Sequence, residues 1–294
     1  MKFAVFTTGY KGYKFLEGLE HTPAFVVSYD NKERQDKLHY KGIIEWCQTN
    51  NVVLYTKKQF KIDRLQNKLQ ELDKIFVIGW QFLIKDNLEK IVVFHDSFLP
   101  ERRGFAPTIS ALLDKSEYLG ASCFKPENSL IVGPDYGKIY YRIKKQICYP
   151  IKLKEAFDHV VILYLEMAHN ILREETIPKA INYDKSTFSV WRDKEDLRID
   201  WTMNTAAIQQ KIFSLGYPYM GATSIYNNII IHIKEAEKAC DMNFVNRNDH
   251  CGKIWKIEGN CPYIVCSDGM IKITKATDID NNEIIFDKIR KRLK

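Results

Sequence analysis

What this sequence lacks narrows it before anything present does. It has no GxGxxG and no GxxxxGK[ST], so the Thr-Thr-Gly-Tyr-Lys-Gly turn at 7–12 is not a phosphate cradle of those known types, and any nucleotide binds another way. There is no CxxC pair. The spacings of Cys240, Cys251, Cys261 and Cys266 with His232 and His250 match no common zinc set, so no metal site is expected. No stretch approaches the ~18 uninterrupted apolar residues a membrane span needs; the best, Val160 to Leu165, runs into Glu166. The start, MKFAVFTTGYKG, lacks the long apolar region and cleavage site of a secretion signal and reads as a first strand. No internal repeat or low-complexity run is present. The seven cysteines are an odd number, spread through a chain large enough to need no staples, which fits free thiols in a reducing compartment. A soluble, cytoplasmic protein without a membrane partner is the expectation.

What remains is ordinary globular material: 294 residues, 45% hydrophobic and 28% charged, too apolar for a disordered chain. The length suits one large domain or two modest ones. Lys plus Arg number 44 against 37 Asp plus Glu, a net charge of +7, which suits an anionic ligand without requiring a polyanion.

Short β-branched runs alternate with amphipathic stretches over the first 94 residues: Phe3 to Thr8, Tyr13 to Leu19, Phe25 to Tyr29, Gly42 to Thr49, Val52 to Tyr55. That is the rhythm of an α/β fold with a mainly parallel sheet. Lys74 to Gly79 and Lys90 to Phe94 are apolar on nearly every residue, as central strands covered on both faces should be. Ligands of such sheets sit beyond the carboxyl ends of the strands, which directs attention to Trp80-Gln81-Phe82 and His95-Asp96-Ser97. Further along come a helix from Ala106 to Asp114, strands at Leu119 to Lys125 and Gly137 to Cys148, and a long helix from Leu153 to Arg173. The polar segment Glu174 to Ser186 reads as a linker. After a helix over Thr205 to Leu215, five short strands separated by turn residues suggest a small β-barrel, and the tail ending in KIRKRLK reads as a short basic helix. The expected division is a catalytic domain over 1–186, then a linker helix and barrel over 187–294.

Two residues carry candidate chemistry. His95 stands just past a buried strand, where a general acid or base belongs, although a histidine there is as readily a hydrogen-bonded structural residue. Asp135 sits in a Gly-Pro-Asp-Tyr-Gly turn, where an aspartate ordinarily caps its own backbone. If the two meet, the carboxylate orients the imidazole and stabilises its protonated form, as a proton shuttle needs.

The run HDSFLPERRGFAP at 95–107, followed by a helix, then GASCFKPE and DYGKI, resembles the formyltransferase family that uses N10-formyltetrahydrofolate. That family carries an Asn-x-His-x-Ser-Leu-Leu-Pro strand end, a Tyr-Arg-Gly loop and a later Asp-x-Gly. Residues 196–223, with Ile-Asp-Trp ahead of a helix and a Pro-x-x-Gly-Ala turn, are similar to the linker and helix of methionyl-tRNA and sugar N-formyltransferases. The barrel then corresponds to their C-terminal OB-like domain, and Trp201 reads as an interdomain anchor. The resemblance implies a Rossmann-like formyltransferase domain, formyl transfer from N10-formyltetrahydrofolate, and catalytic roles for His95 and Asp135. It also implies a pterin site walled by Trp80, Gln81, Phe82 and Leu83 on one side and Ile131, Val132, Gly133 and Pro134 on the other. Asp96, Ser97, Arg102, Arg103 and Gly104 fall where the acceptor binds, Arg being suited to phosphates.

One departure stands out. The family's catalytic Asn falls on Val93, and the loss of one donor to a developing oxyanion costs roughly 3 kcal/mol unless another group replaces it. The segment between Gly120 and Asp135 is also a few residues longer than the family pattern.

Within the family, charge bears on the acceptor. Residues 200–294 hold 13 Lys plus Arg against 11 Asp plus Glu, with five basic residues in the last seven. A domain that grips tRNA phosphates should present a basic face. The expected activity is therefore sugar N-formylation, at the amine of a 3-amino- or 4-amino-deoxy sugar on dTDP, UDP or GDP, in the making of a lipopolysaccharide O-antigen or similar cell-surface glycan, by a homodimer. Methionyl-tRNA formylation and folate binding with weakened catalysis are the alternatives.

Overall fold

The computed structural model describes residues 1–29, 37–62, 66–80, 84, 88–127, 135–174 and 176–294. The chain forms two compact units. One comprises Met1–Pro107, Tyr118–Lys145 and Phe157–Ser189; the other comprises Thr108–Glu117, Gln146–Ala156 and Val190–Lys294.

The first unit is built on a seven-stranded sheet in the order β3-β2-β1-β4-β5-β7-β8. Strands β1 (Phe3–Thr7), β2 (Phe25–Ser28), β3 (Val53–Thr56), β4 (Lys74–Ile78) and β5 (Ile91–His95) run parallel, and β7 (Tyr118–Pro126) lies antiparallel to β5. β8 (Gly137–Gln146) is the far edge. Helices α1 (Gly9–Gly18) and α2 (Lys37–Thr49) supply the crossovers between the first three strands, and the short helices α3 (Lys57–Ile62) and α4 (Gln66–Gln70) lie between β3 and β4.

Burial follows the pattern the apolar runs dictate. β1 and β2 are buried at every residue, and β4 at all but its first. On one face Ala4, Phe6, Val27, Ile75, Val77 and Ile91 form a core against which Trp80 and Val93 pack. Across the sheet Phe94 stands among Phe15 (5.5 Å between centroids), Phe76 (5.4 Å) and Tyr164 of α6 (Leu153–Arg173) at 5.2 Å. Each such buried ring contributes about 1.5–3 kcal/mol. Together they fix the last turn of β5, and because side chains alternate along a strand, His95 projects from the face opposite Phe94.

The described part of the predicted linker, residues 176–186, is not free. Ile139 of β8 and Lys179 exchange backbone hydrogen bonds at 2.8 Å each way, and Tyr183 Oη accepts from the Gly137 amide and donates to the Gly137 carbonyl. These bonds strap the segment onto the sheet edge and lead it to β9 (Phe188–Ser189), which pairs in parallel with β6 (Arg103–Gly104). Polar composition, read as a loop, hid a chain held by one tyrosine and one backbone bridge.

In the second unit, helix α5 (Pro107–Leu113) and helix α7 (Thr205–Ser214) accompany a five-stranded antiparallel sheet of β10 (Ala222–Tyr226), β11 (Ile229–Ala239), β12 (Ile254–Glu258), β13 (Cys261–Val265) and β14 (Met270–Thr277), in the order β10-β11-β14-β13-β12. Asn227 and Asn228, both at positive φ, make the tight β10–β11 turn that two-residue hairpins require. Asn204 caps α7 by accepting from the Ala207 amide at 2.8 Å. Trp201, 4% exposed, is buried inside this unit, where its Nε1 donates to Ser224 Oγ at 3.0 Å.

The C-terminal tail is no helix. The Ile254 amide of β12 donates to the Lys291 carbonyl at 2.9 Å, Leu293 donates to Gly252 at 2.8 Å, and Ile225 of β10 donates to Lys294 at 2.8 Å. The tail thus joins the two edge strands and closes the sheet, satisfying edge groups that would otherwise lack partners. Leu293 points inward at 2% exposure while its basic neighbours face out, which the run of charges concealed.

Candidate active site

The β5 strand leaves its ladders one residue apart: pairing with β4 ends at Phe94 and pairing with β7 at His95, opposite Ser122. The chain then turns through Asp96 to Gly104, and several bonds hold that turn. Ser122 Oγ donates to the Ser97 carbonyl (2.7 Å) and accepts from the Leu99 amide (3.0 Å). Ser97 Oγ donates to the Glu101 carbonyl (2.5 Å), and Arg142 donates to the Leu99 carbonyl (2.6 Å). Gly120 of β7 permits the approach, since a Cβ there would stand 2.2 Å from the Phe98 nitrogen.

His95 is buried, with a side chain 7% exposed. Its Nε2 lies 3.0 Å from the Arg102 carbonyl, which can only accept, so Nε2 carries a proton. Nδ1 faces Asp135 Oδ1 at 3.6 Å, an ion-pair distance. Asp135 itself adopts φ +52 just ahead of β8, a conformation aspartate tolerates better than most residues, and its Oδ2 accepts from the Gly104 amide at 2.7 Å. One ring thus stands between a carbonyl that bonds Nε2 and a carboxylate that faces Nδ1. A proton can be held at Nε2 and its charge balanced at Nδ1.

The remaining predicted residues divide by burial. Arg102 keeps a side chain 24% exposed beside Glu101 (3.9 Å), and its amide donates to Thr187 Oγ1 (2.8 Å). Arg103 is 1% exposed: its guanidinium stacks between Tyr183 (5.1 Å) and Phe188 (5.0 Å) and donates to Ser186 Oγ (3.3 Å). In this structure Arg103 holds the loop's shape, and Ser97, 4% exposed, does the same. Gly104 adopts φ +100, and a Cβ there would meet the Ser189 carbonyl at 2.6 Å. Asp96 points to the helix side of the sheet, where Lys11 of α1 meets it at 2.7 Å. Val93 is half-buried and packs against the core clusters on its face, so that position offers no donor.

Trp80 stands at the carboxyl end of β4, stacked on Tyr29 at 4.6 Å and 7° and edge-on to Phe6 at 5.3 Å. Gln81, Phe82, Leu83, Ile131, Val132, Gly133 and Pro134 lie outside the described residues. Sequence reasoning missed Lys11, Ser122, Tyr164 and Tyr183. Lys11 alone had a signal, its place just past the end of β1 in the 7–12 turn. Among the described residues no group of three or more His, Cys, Asp or Glu is placed to hold a metal, and no helix is long and apolar enough to cross a membrane.

Residues 192–288 match the family model described as "Formyl transferase, C-terminal domain". The methionyl-tRNA formyltransferase of Fusobacterium nucleatum is 27% identical over 256 residues, covering 83% of this chain and 80% of the relative. In fold, the chain is similar to HypX from Aquifex aeolicus in complex with tetrahydrofolic acid (TM-score 0.64, 14% identity, 97% of this chain) and spans 45% of that protein's length. It is similar over nearly its whole length to an N-formyltransferase from Helicobacter canadensis in complex with folinic acid and dTDP-3-aminofucose (TM-score 0.61, 15% identity, 93% of this chain and 98% of the other). Residues 192–288 thus carry a formyl transferase C-terminal domain, and the likeness to the solved structures is one of fold.

Proposed function

We propose that the protein transfers the formyl group of N10-formyltetrahydrofolate to the amine of a 3-amino- or 4-amino-deoxy sugar carried on dTDP, UDP or GDP. The observation that carries formyl transfer is the His95–Asp135 pair, clamped at the end of β5 by the Arg102 carbonyl and the Gly104 amide. The folate fits what surrounds it: the flat, half-buried Trp80–Tyr29 stack at the next strand end suits a pterin. When bound, N10-formyltetrahydrofolate supplies a formyl carbon on a nitrogen that departs once protonated.

The protein's own part is proton handling and charge. Asp135, fixed by the Gly104 amide, balances the charge on Nδ1, while Nε2 of His95 presents a proton in the direction the Arg102 carbonyl now occupies. With Val93 unable to donate, that proton would serve the charge that develops on the formyl oxygen, and the proton that Asp135 takes from the attacking amine would pass to the departing folate nitrogen. Arg102, partly exposed on this loop, is the candidate for the acceptor's phosphates, and Gly104 keeps its backbone close to the acid. Ser97 and Arg103 act by holding the loop.

Charge pairing in the second unit supports a sugar acceptor. Lys152, Arg247, Lys256 and Lys272 are each matched by a carboxylate, on Glu235, Asp241, Glu258 and Glu237, at 2.5–3.2 Å. Cations so neutralised release few counterions from a nucleic acid. The Fusobacterium nucleatum relative favours the second reading, transfer to methionyl-tRNA. Mass spectrometry of products formed with N10-formyltetrahydrofolate and nucleotide 3-amino and 4-amino sugars, with methionyl-tRNA run in parallel, tests the choice. A sugar nucleotide heavier by one formyl group is expected; formylated tRNA alone overturns the sugar reading, and folate binding without any product overturns transfer.

A further inference from the structure

The face of β5 opposite His95 carries a second polar group that the proposed chemistry does not use. Asp96 is the first residue past both ladders, and its carboxylate turns away from the imidazole toward the helices. There Lys11 Nζ of α1 meets Oδ1 at 2.7 Å, with the two side chains 18% and 10% exposed, and Tyr164 Oη of α6 donates to the same oxygen at 3.5 Å. The ammonium also lies over the Phe157 ring at 4.7 Å, so α6 touches both members of the pair. Burial, and then the Asp96 charge, push the Tyr164 phenol well above its usual range, which keeps it a neutral donor.

These contacts do something the ladder cannot. Beyond His95 the backbone ladders end and the bonds of Ser122 begin only at Ser97, so rotation about the bonds joining His95 to Asp96 would swing the ring away from Asp135. Anchoring Asp96 to two helices removes that freedom. We propose that Lys11 and Tyr164 are positioning residues for His95, acting through Asp96, and that Asp96 is a strut of the catalytic strand end rather than an acceptor contact. This rests on the reading of His95 as the proton-handling group, and it departs from the acceptor role expected for Asp96.

The test compares the full-length protein with Asp96→Asn, Lys11→Met, Tyr164→Phe, the double variant Lys11→Met/Asp96→Asn, and the conservative Lys11→Arg. The first readout is the 15N spectrum of the His95 ring, assigned by its loss in His95→Asn. Changed Nδ1 and Nε2 signals in Asp96→Asn and Lys11→Met, and near-native ones in Lys11→Arg, are expected. An unchanged His95 spectrum in both single variants overturns the proposal, and it does so whether or not any acceptor is formylated. The second readout is steady-state transfer to a dTDP-linked 4-amino-deoxy sugar. The single variants should lose about 10- to 100-fold in kcat, as a misplacement near 1 Å does, with KM for the acceptor within twofold. Lys11→Arg should recover most of that loss, and the double variant should lose less than the product of the singles. A rise in acceptor KM at constant kcat in Asp96→Asn would return Asp96 to the acceptor site and overturn the proposal. An inactive wild type would overturn the sugar reading alone, leaving the His95 spectrum to decide this one. Thermal unfolding of Tyr164→Phe, which keeps the ring, separates loss of position from loss of fold.

Discussion

The Gly104 amide donates to Asp135 Oδ2 at 2.7 Å, locking the loop after β5 to the residue before β8 across 31 positions of sequence. Both halves of the proposed acid–base pair are thereby held by the loop after β5: His95 by the Arg102 carbonyl, Asp135 by the Gly104 amide.

Replacing either member should remove transfer while leaving the fold. His95→Asn and Asp135→Asn are expected to lower kcat by about 10²–10⁴ each, the range for a positioned acid or base. A urea titration followed by circular dichroism should show cooperative unfolding close to that of the parent. Near-normal activity in either variant removes that residue from the mechanism.

Gly104→Ala tests the clamp without touching a charge. At φ +100, and with a Cβ 2.6 Å from the Ser189 carbonyl, an alanine must displace β9 or the loop. A loss of about 1–3 kcal/mol in stability is expected, together with a fall in kcat, because the Asp135 carboxylate loses its donor. Denaturant midpoints and initial rates measured on one preparation check both, and unchanged rates would show that the clamp does not matter to catalysis.

Arg103→Leu separates a loop-shaping arginine from a phosphate-binding one. The buried guanidinium between Tyr183 and Phe188 should make the change cost about 2–4 kcal/mol on chemical denaturation. The same loss should appear in protein without ligand. An effect confined to acceptor KM, with native stability, would instead return Arg103 to the substrate.

His232 gives the stability a pH dependence of predictable sign. Burial, and then the nearby Lys234 charge, lower its pKa below the ordinary histidine value, so the folded protein binds its proton less readily than the unfolded chain does. Its contribution is full above the unfolded value of about 6.5 and is lost as pH falls below that value toward the lower folded one. Denaturation at pH 7.5 and 5.5 should therefore show a smaller acid loss in His232→Gln than in the parent. Equal losses would contradict the assignment.

Much of this was legible in local patterns. Runs such as Lys90 to Phe94 announced buried strands, turn residues announced the short strands of the second unit, and the motifs around His95 and Asp135 singled out two residues that the fold brings to 3.6 Å. What escaped depended on distant partners. Lys11 meets Asp96 from 85 residues away, and Tyr183 reaches Gly137 across 46, contacts that no periodicity encodes. The tail misled for another reason: five basic residues in the last seven suggest a solvated helix, whereas the single inward Leu293 and two open sheet edges decide its path.

The central claim is the acceptor. A competition in one tube, with 13C-formyl-labelled N10-formyltetrahydrofolate, a dTDP-linked amino-deoxy sugar and methionyl-tRNA together, tests it most directly. The label is predicted on the sugar amine, and is predicted to disappear with His95→Asn. Label on the tRNA, with none on the sugar, would contradict the account.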